Sequence, residues 1–97
     1  MTISKSDIVV STAGRDQGRL FYVIDADETF VTLADGKIRR MEKPKRKKRK
    51  HVRLAIHADS HVAQKIKNGA AVLDSELRRD LAIYSQEIRS QNYQGGV

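Results

Sequence analysis

The sequence predicts a mainly β fold with C-terminal helices: a small barrel of five short strands, then two short α-helices. Three observations carry that prediction. Between Asp7 and His57, five short runs of β-branched, aromatic and alternating residues are separated by turns rich in Gly and Asp. From Asp59 onward the apolar period lengthens from two residues to three or four. A strongly basic run, Lys43–His51, lies between the fourth and fifth strand segments.

Met1–Ser6 is a polar lead, and Asp7–Ala13 is the first strand, carried by Ile8, Val9 and Val10. Gly14-Arg15-Asp16-Gln17-Gly18 forms a turn: both glycines can take positive φ, and Asp16 can accept from nearby backbone N–H groups. Arg19–Ile24 is a largely buried second strand, closed by the acidic turn Asp25-Ala26-Asp27-Glu28. Thr29–Leu33 alternates as a third strand. Asp35-Gly36 is a hairpin signal that predicts a returning strand over Lys37–Met41. Pro44 discourages pairing within the basic run, which is therefore expected to be a loop of about 42–51, disordered in the absence of a ligand. His51–His57 alternates as the fifth strand. Beyond it, Asp59 or Ser60 caps a short helix ended by Asn68-Gly69. A second helix starts near Asp74 or Ser75 and ends near Ser90, with Leu77, Leu81, Tyr84 and Ile88 in one stripe. Gln91–Val97 is read as a frayed tail.

Ninety-seven residues allow one small domain, divided as a strand unit over 1–57 and a helical extension over 58–97. The lack of Cys removes disulfides and Cys-based zinc sites and fits a cytoplasmic setting. The longest apolar run, Ile8-Val9-Val10, is far too short for a membrane span, and the first residues do not resemble a signal peptide. The expectation is a protein with no membrane partner, monomeric when free.

Charge is the most informative property. Lys37–Arg53 holds eleven Lys and Arg against one acid, Glu42, so this window carries +10 while the whole chain carries +7. The rest is net acidic. Charge concentrated in this way suits a polyanion. Read from composition alone, the basic block is an RNA contact, a solvated loop, or an import signal; its position between strands rather than in a tail favours the first.

The stretch Ile8–Leu33, and above all Gly14-Arg15-Asp16-Gln17-Gly18-Arg19, resembles a KOW motif, found in ribosomal proteins and transcription elongation factors. Gly18 corresponds to the motif's characteristic glycine, and Gln17 stands where many members carry Lys. With Asp35-Gly36, Arg39-Arg40, Lys43-Pro44-Lys45 and His51 following in order, the chain resembles bacterial KOW-domain RNA-binding proteins similar to ribosomal protein L14e. That resemblance implies an SH3-like β-barrel that docks on structured RNA, with large-subunit ribosomal RNA the expected partner. A protein-interaction adaptor of the transcription or translation machinery is the alternative.

The candidate RNA-binding residues are Arg15, Arg19, Arg39, Arg40, Lys43, Lys45, Arg46, Lys47, Lys48, Arg49, Lys50 and His51, with Gly14, Asp16 and Gly18 shaping the turn. Should RNA approach that turn, backbone N–H groups near Gly14 and Gly18 can meet phosphate. Phe21, Tyr22 and Phe30 are of a type that stacks on bases, but at least two of them are expected in the core, with Tyr22 the surface member. His57, Asp59 and His61 are read as surface or capping residues rather than metal ligands, and no cofactor is expected. The stripe Leu77/Leu81/Tyr84/Ile88 is expected to pack internally, with a protein partner as the alternative. No nucleophile–base set or phosphate-binding loop is present, so the expectation is a non-enzyme.

Overall fold

The computed structural model describes residues 2–95, with side chains through residue 90. Five strands, β1 (Asp7–Ser11), β2 (Leu20–Ala26), β3 (Phe30–Ala34), β4 (Lys45–Lys48) and β5 (Val52–His57), form one antiparallel sheet in the order β4-β3-β2-β1-β5. A 3-10 turn, Arg49–His51, joins β4 to β5, and two helices follow, α1 (His61–Lys67) and α2 (Asp74–Gly95). β4 and β5 are the two edges of the sheet, yet only three residues separate them. A span of three residues reaches at most about 10 Å, so the sheet must curl until its edges approach. No ladder pairs β4 with β5, and the sheet is not closed.

Alternation along β1 and β2 sends apolar side chains to both faces. Ile8 and Tyr22, paired in register, join Ala34 under the helices, against Val62, Ala63, Ile66 and Leu77. Val9 and Phe21, the next pair, face the other way and pack with Val23, Val31, Leu33 and Val52 inside the curl. Both faces are therefore buried, as the near-continuous apolar runs of β1 and β2 require. Leu77, Leu81 and Tyr84 are buried in the chain's own core and Ile88 is half-buried. Complete burial of a side chain the size of Leu77 contributes about 1.5–3 kcal/mol.

Both helices start where the sequence places them, and α1 also ends there. Ser60 caps α1, its Oγ accepting from Ala63 N–H at 3.1 Å, and Asn68 ends it. Glu76 Oε1 accepts from Leu73 N–H at 3.0 Å ahead of α2, while its Oε2 accepts from Lys65 of α1 at 2.8 Å. These contacts hold the Glu76 carboxyl below the usual carboxylate range, the Lys65 bond first among them. Contrary to the expected frayed tail, α2 continues through Gly95; the remainder of that reading, Gly96 and Val97, lies outside the described residues.

Three further expectations are corrected. Lys37–Met41 is not a strand. Asp35 Oδ1 accepts from three successive backbone N–H groups, Lys37, Ile38 and Arg39, at 2.9–3.0 Å, winding the chain into a tight loop instead of a hairpin. That loop is clamped to the start of α2: Met41 N–H donates to Asp74 Oδ1 at 2.8 Å, and Arg78 Nη1 donates to the Gly36 carbonyl at 2.6 Å. The basic run, expected to be a loop, supplies the fourth strand. β3 buries Val31 and Leu33 and needs a partner for its outer backbone groups, which Lys45–Lys48 provides in the register Phe30↔Lys48 to Leu33↔Lys45. Pro44 sits just before that strand, where a missing N–H disturbs no ladder.

Tyr22 is the third correction. It is completely buried. Its phenol donates to Asp80 Oδ2, which also accepts from Ser60 Oγ at 2.7 Å, so one carboxylate ties β2, the α1 cap and α2 together. Burial first, then the Asp80 bond, pushes the Tyr22 phenol well above its ordinary range. No helix among the described residues is long and apolar enough to cross a membrane.

Candidate nucleic-acid interface

The fold brings the β1–β2 turn and the basic strand together, although they are some thirty residues apart in sequence. A groove of about 450 Å³ runs between them, with Arg15 and Asp16 on one side and Lys45, Arg46 and Lys48 on the other. Gly14 (φ +78°) and Gly18 (φ +87°) take the positive φ expected of them. The turn is closed by Gln17 N–H to the Gly14 carbonyl at 3.2 Å and by Gly18 N–H to the Ser11 carbonyl at 2.8 Å. The Gly18 N–H is therefore already bonded within the fold, which leaves it out of the expected backbone contact to phosphate.

The cations of the sequence divide into two sets. Arg39 points inward across the turn, with Nε and Nη2 at 3.3 and 2.9 Å from Asp16 Oδ2. Lys47 alternates into the curl, where its ammonium donates to Ser11 Oγ at 2.5 Å and the Ala13 carbonyl at 2.6 Å. Arg49 donates to the Asp27 carbonyl and, through Nη1, to the Ile3 carbonyl, both at 2.6 Å. These three residues are half-buried and build the sheet's end, and Arg39 and Lys47 also border the groove. His51 is half-buried; its carbonyl accepts from Thr12 N–H at 2.8 Å while its side borders the groove.

Arg15, Arg40, Lys43, Lys45, Lys48 and Lys50 are exposed, and none makes a side-chain hydrogen bond or ion pair among the described residues. Arg15, Lys45 and Lys48 border the groove directly. Arg40 and Lys43 lie on the turn leading into β4, closed by Lys43 N–H to the Arg40 carbonyl at 3.0 Å, and Lys50 lies in the 3-10 turn. Arg19 is not brought to this side. Its guanidinium is 3.9 Å from Asp35, and it borders a different depression of about 690 Å³ between the β1–β2 turn and α2.

Two groove residues, Arg46 from the candidate RNA-binding set and Phe30 from the candidate aromatics, lie against each other. Phe30, half-buried at the start of β3, belongs to neither core cluster. The Arg46 guanidinium carbon lies 3.8 Å from the centre of its ring. Arg46 also reaches Asp27 Oδ2 at 3.4 Å. Asp27 Oδ1 accepts from Phe30 N–H at 2.7 Å and Thr29 N–H at 2.9 Å, and these bonds hold its carboxyl below the usual range. The signal for Phe30 in the sequence was its departure from the continuous apolar runs of β1 and β2: it shares its face of β3 with Thr32.

Of His57, Asp59 and His61, the first two have partners within the fold. His57 Nδ1 is 2.8 Å from Asp7 Oδ1, and Asp59 Oδ1 accepts from the Tyr84 hydroxyl at 3.2 Å. Chemically, the groove offers exposed ammonium and guanidinium donors and no nucleophile–base pair among its bordering residues. No protein-family model and no curated protein matches the chain.

Proposed function

We propose that the chain is an RNA-binding protein that docks structured RNA in the groove between the β1–β2 turn and β4. The observation that carries the reading is the division of the cations. Arg39, Lys47 and Arg49 make internal hydrogen bonds, whereas Arg15, Lys45 and Lys48 are left exposed around one groove. A surface built only for solubility has no need to bring an arginine from a distant turn beside a lysine strand. Lys on an edge strand also discourages sheet-to-sheet association, but that role does not call on Arg15. The exposed cations neutralise phosphates and release counterions, giving affinity with little sequence choice. The curl that brings the β4 and β5 edges close supports reading the sheet as an open form of an SH3-like barrel. Burial of Leu77, Leu81 and Tyr84 inside the chain favours RNA over a protein adaptor that would use that stripe. Ribosomal RNA is the structured RNA we propose as the target, with a ribosome-associated role in translation.

The test is titration of a labelled RNA hairpin across a salt series, paired with sucrose-gradient sedimentation of ribosomes. With about five phosphates engaged, log K falls against log salt with a slope of roughly −3.5 to −4.5. Replacing Arg15, Lys45, Lys48 and Lys50 by Gln is expected to abolish co-sedimentation with the large subunit. A slope near −1, or unchanged sedimentation of the quadruple variant, overturns the proposal.

A further inference from the structure

Resting on the RNA reading above, we infer that the groove recognises an unpaired nucleotide, whose base stacks on the guanidinium plane of Arg46 backed by Phe30. In β3–β4 register, Phe30 faces Lys48 and Thr32 faces Arg46, so Phe30 and Arg46 are diagonal neighbours on one face of the ladder. The 3.8 Å approach puts the guanidinium in contact with the ring. Of the three aromatic residues in the strands, only Phe30 stays out of both core clusters, so packing does not account for an aromatic ring at this position. It instead borders the groove, among residues that are mostly charged.

The Arg46 side chain is 61 % exposed, and its ion-pair partner Asp27 is 59 % exposed at a separation of 3.4 Å. An ion pair this open holds little energy, but it orients the guanidinium while the ring supports it from below. A planar delocalised cation held in that way stacks on a base, which a lysine ammonium cannot do. Lys48 stands two residues along the same strand, about 6.8 Å from Arg46, and on the same face. That spacing suits a phosphate next to the stacked base. In an A-form duplex the base faces are occupied by neighbouring bases, so only an unpaired nucleotide in a loop, bulge or single strand engages the platform.

The experiment compares three probes at one salt concentration: a mixed-sequence single-stranded RNA decamer, an abasic decamer with the same phosphates, and an RNA duplex of equal length. The protein should bind the single strand about 5- to 150-fold more tightly than the abasic strand, the range expected for one stacked base. Phe30→Leu and Arg46→Lys should each remove most of that difference. Both should leave abasic and duplex binding within about twofold and the salt slope unchanged. Arg46→Lys keeps the charge and touches no core residue, so it reads the stack even if Phe30→Leu lowers stability. Equal binding of single and abasic strands by the unaltered protein overturns the stacking inference alone, as does an equal loss on all three probes in Arg46→Lys. Failure to bind any probe at low salt overturns the RNA reading as well.

Discussion

The Lys47 ammonium donates to Ser11 Oγ at 2.5 Å and to the Ala13 carbonyl at 2.6 Å, bridging the edge strand β4 to the end of β1. A residue from the centre of the most basic stretch thus joins two strands that are not neighbours in the sheet. It sits among cations whose charge serves the surface, and its own charge serves the fold.

The first prediction separates those two roles. Lys47→Met removes two charge-assisted hydrogen bonds and should lower stability by about 1–3 kcal/mol. In a chain of this size that lowers Tm by several degrees to more than ten. Lys48→Gln, at an exposed neighbour, should leave stability within about 0.5 kcal/mol while reducing the salt slope of RNA binding by about 0.7–0.9. Thermal melts and salt titrations of the two variants check the division; equal melting temperatures would falsify it.

Gly36 is held against α2. Its φ is +77°, and a Cβ there would lie 2.2 Å from the Asp74 carbonyl oxygen. Gly36→Ala should therefore cost about 2–5 kcal/mol, from left-handed strain and from a backbone clash that only displacement of α2 relieves. Gly69, at φ +71° with nothing within 4 Å of its Cβ position, provides the comparison. Gly69→Ala should cost about 1–2 kcal/mol, the strain alone. Denaturant unfolding of both variants measures the difference, and equal losses would show that the Asp74 contact is unimportant.

Tyr22 predicts an alkaline limit to stability. Its folded pKa is raised above the unfolded value of about 10, by burial and by Asp80. Stability from this group is complete below the unfolded pKa and is lost as pH rises above it, because only the unfolded chain releases the proton. Unfolding monitored by far-ultraviolet circular dichroism between pH 9 and 12 should coincide with the appearance of one tyrosinate absorbance step. Tyr22→Phe should lose that step and part of the alkaline sensitivity, at a cost of about 1–2 kcal/mol near neutrality from the Asp80 hydrogen bond. A Tyr22 that ionises while the protein stays folded would contradict the burial argument.

Ser6 carries the reverse expectation. It is buried at φ +77°, and its hydroxyl has no partner among the described residues. Its N–H donates to the Val23 carbonyl at 2.8 Å, which keeps the backbone in that conformation. Ser6→Gly retains this bond and removes the strain. Part of the gain is offset by the greater freedom of glycine in the unfolded chain, so a net stabilisation of about 0.5–1 kcal/mol is expected. A melting temperature that falls would show that the Ser6 side chain contributes more than its conformation costs.

The sequence was most legible where one residue type admits one local solution. Ser60 caps α1 because a hydroxyl there satisfies an N–H that the helix leaves free. Gly14 and Gly18 turn the chain because the positive φ they adopt is unfavourable for other residues. The β-branched run of β1, the two-residue period of β5 and the longer period of α2 placed those elements to within a few residues. The concentration of charge at Lys37–Arg53 was equally plain.

What the chain alone did not decide is which residues meet. Lys45–Lys48 has poor strand propensity, and it becomes β4 because β3 has an edge of backbone groups that needs a partner. Asp35-Gly36 has the letters of a hairpin, but Asp35 bonds three successive N–H groups and the loop docks on α2. Tyr22 looked peripheral by alternation and is central, because helices cover the second face of the sheet and Asp80 receives its hydroxyl. The same long-range pairing drew Lys47, Arg49 and Arg39 inward and left Arg15, Lys45 and Lys48 outside. Sequence determined the quantity of charge and its neighbourhood. The curl of the sheet decided its direction, since pairing of the β4 backbone with β3 fixes which of its side chains turn inward and which face solvent.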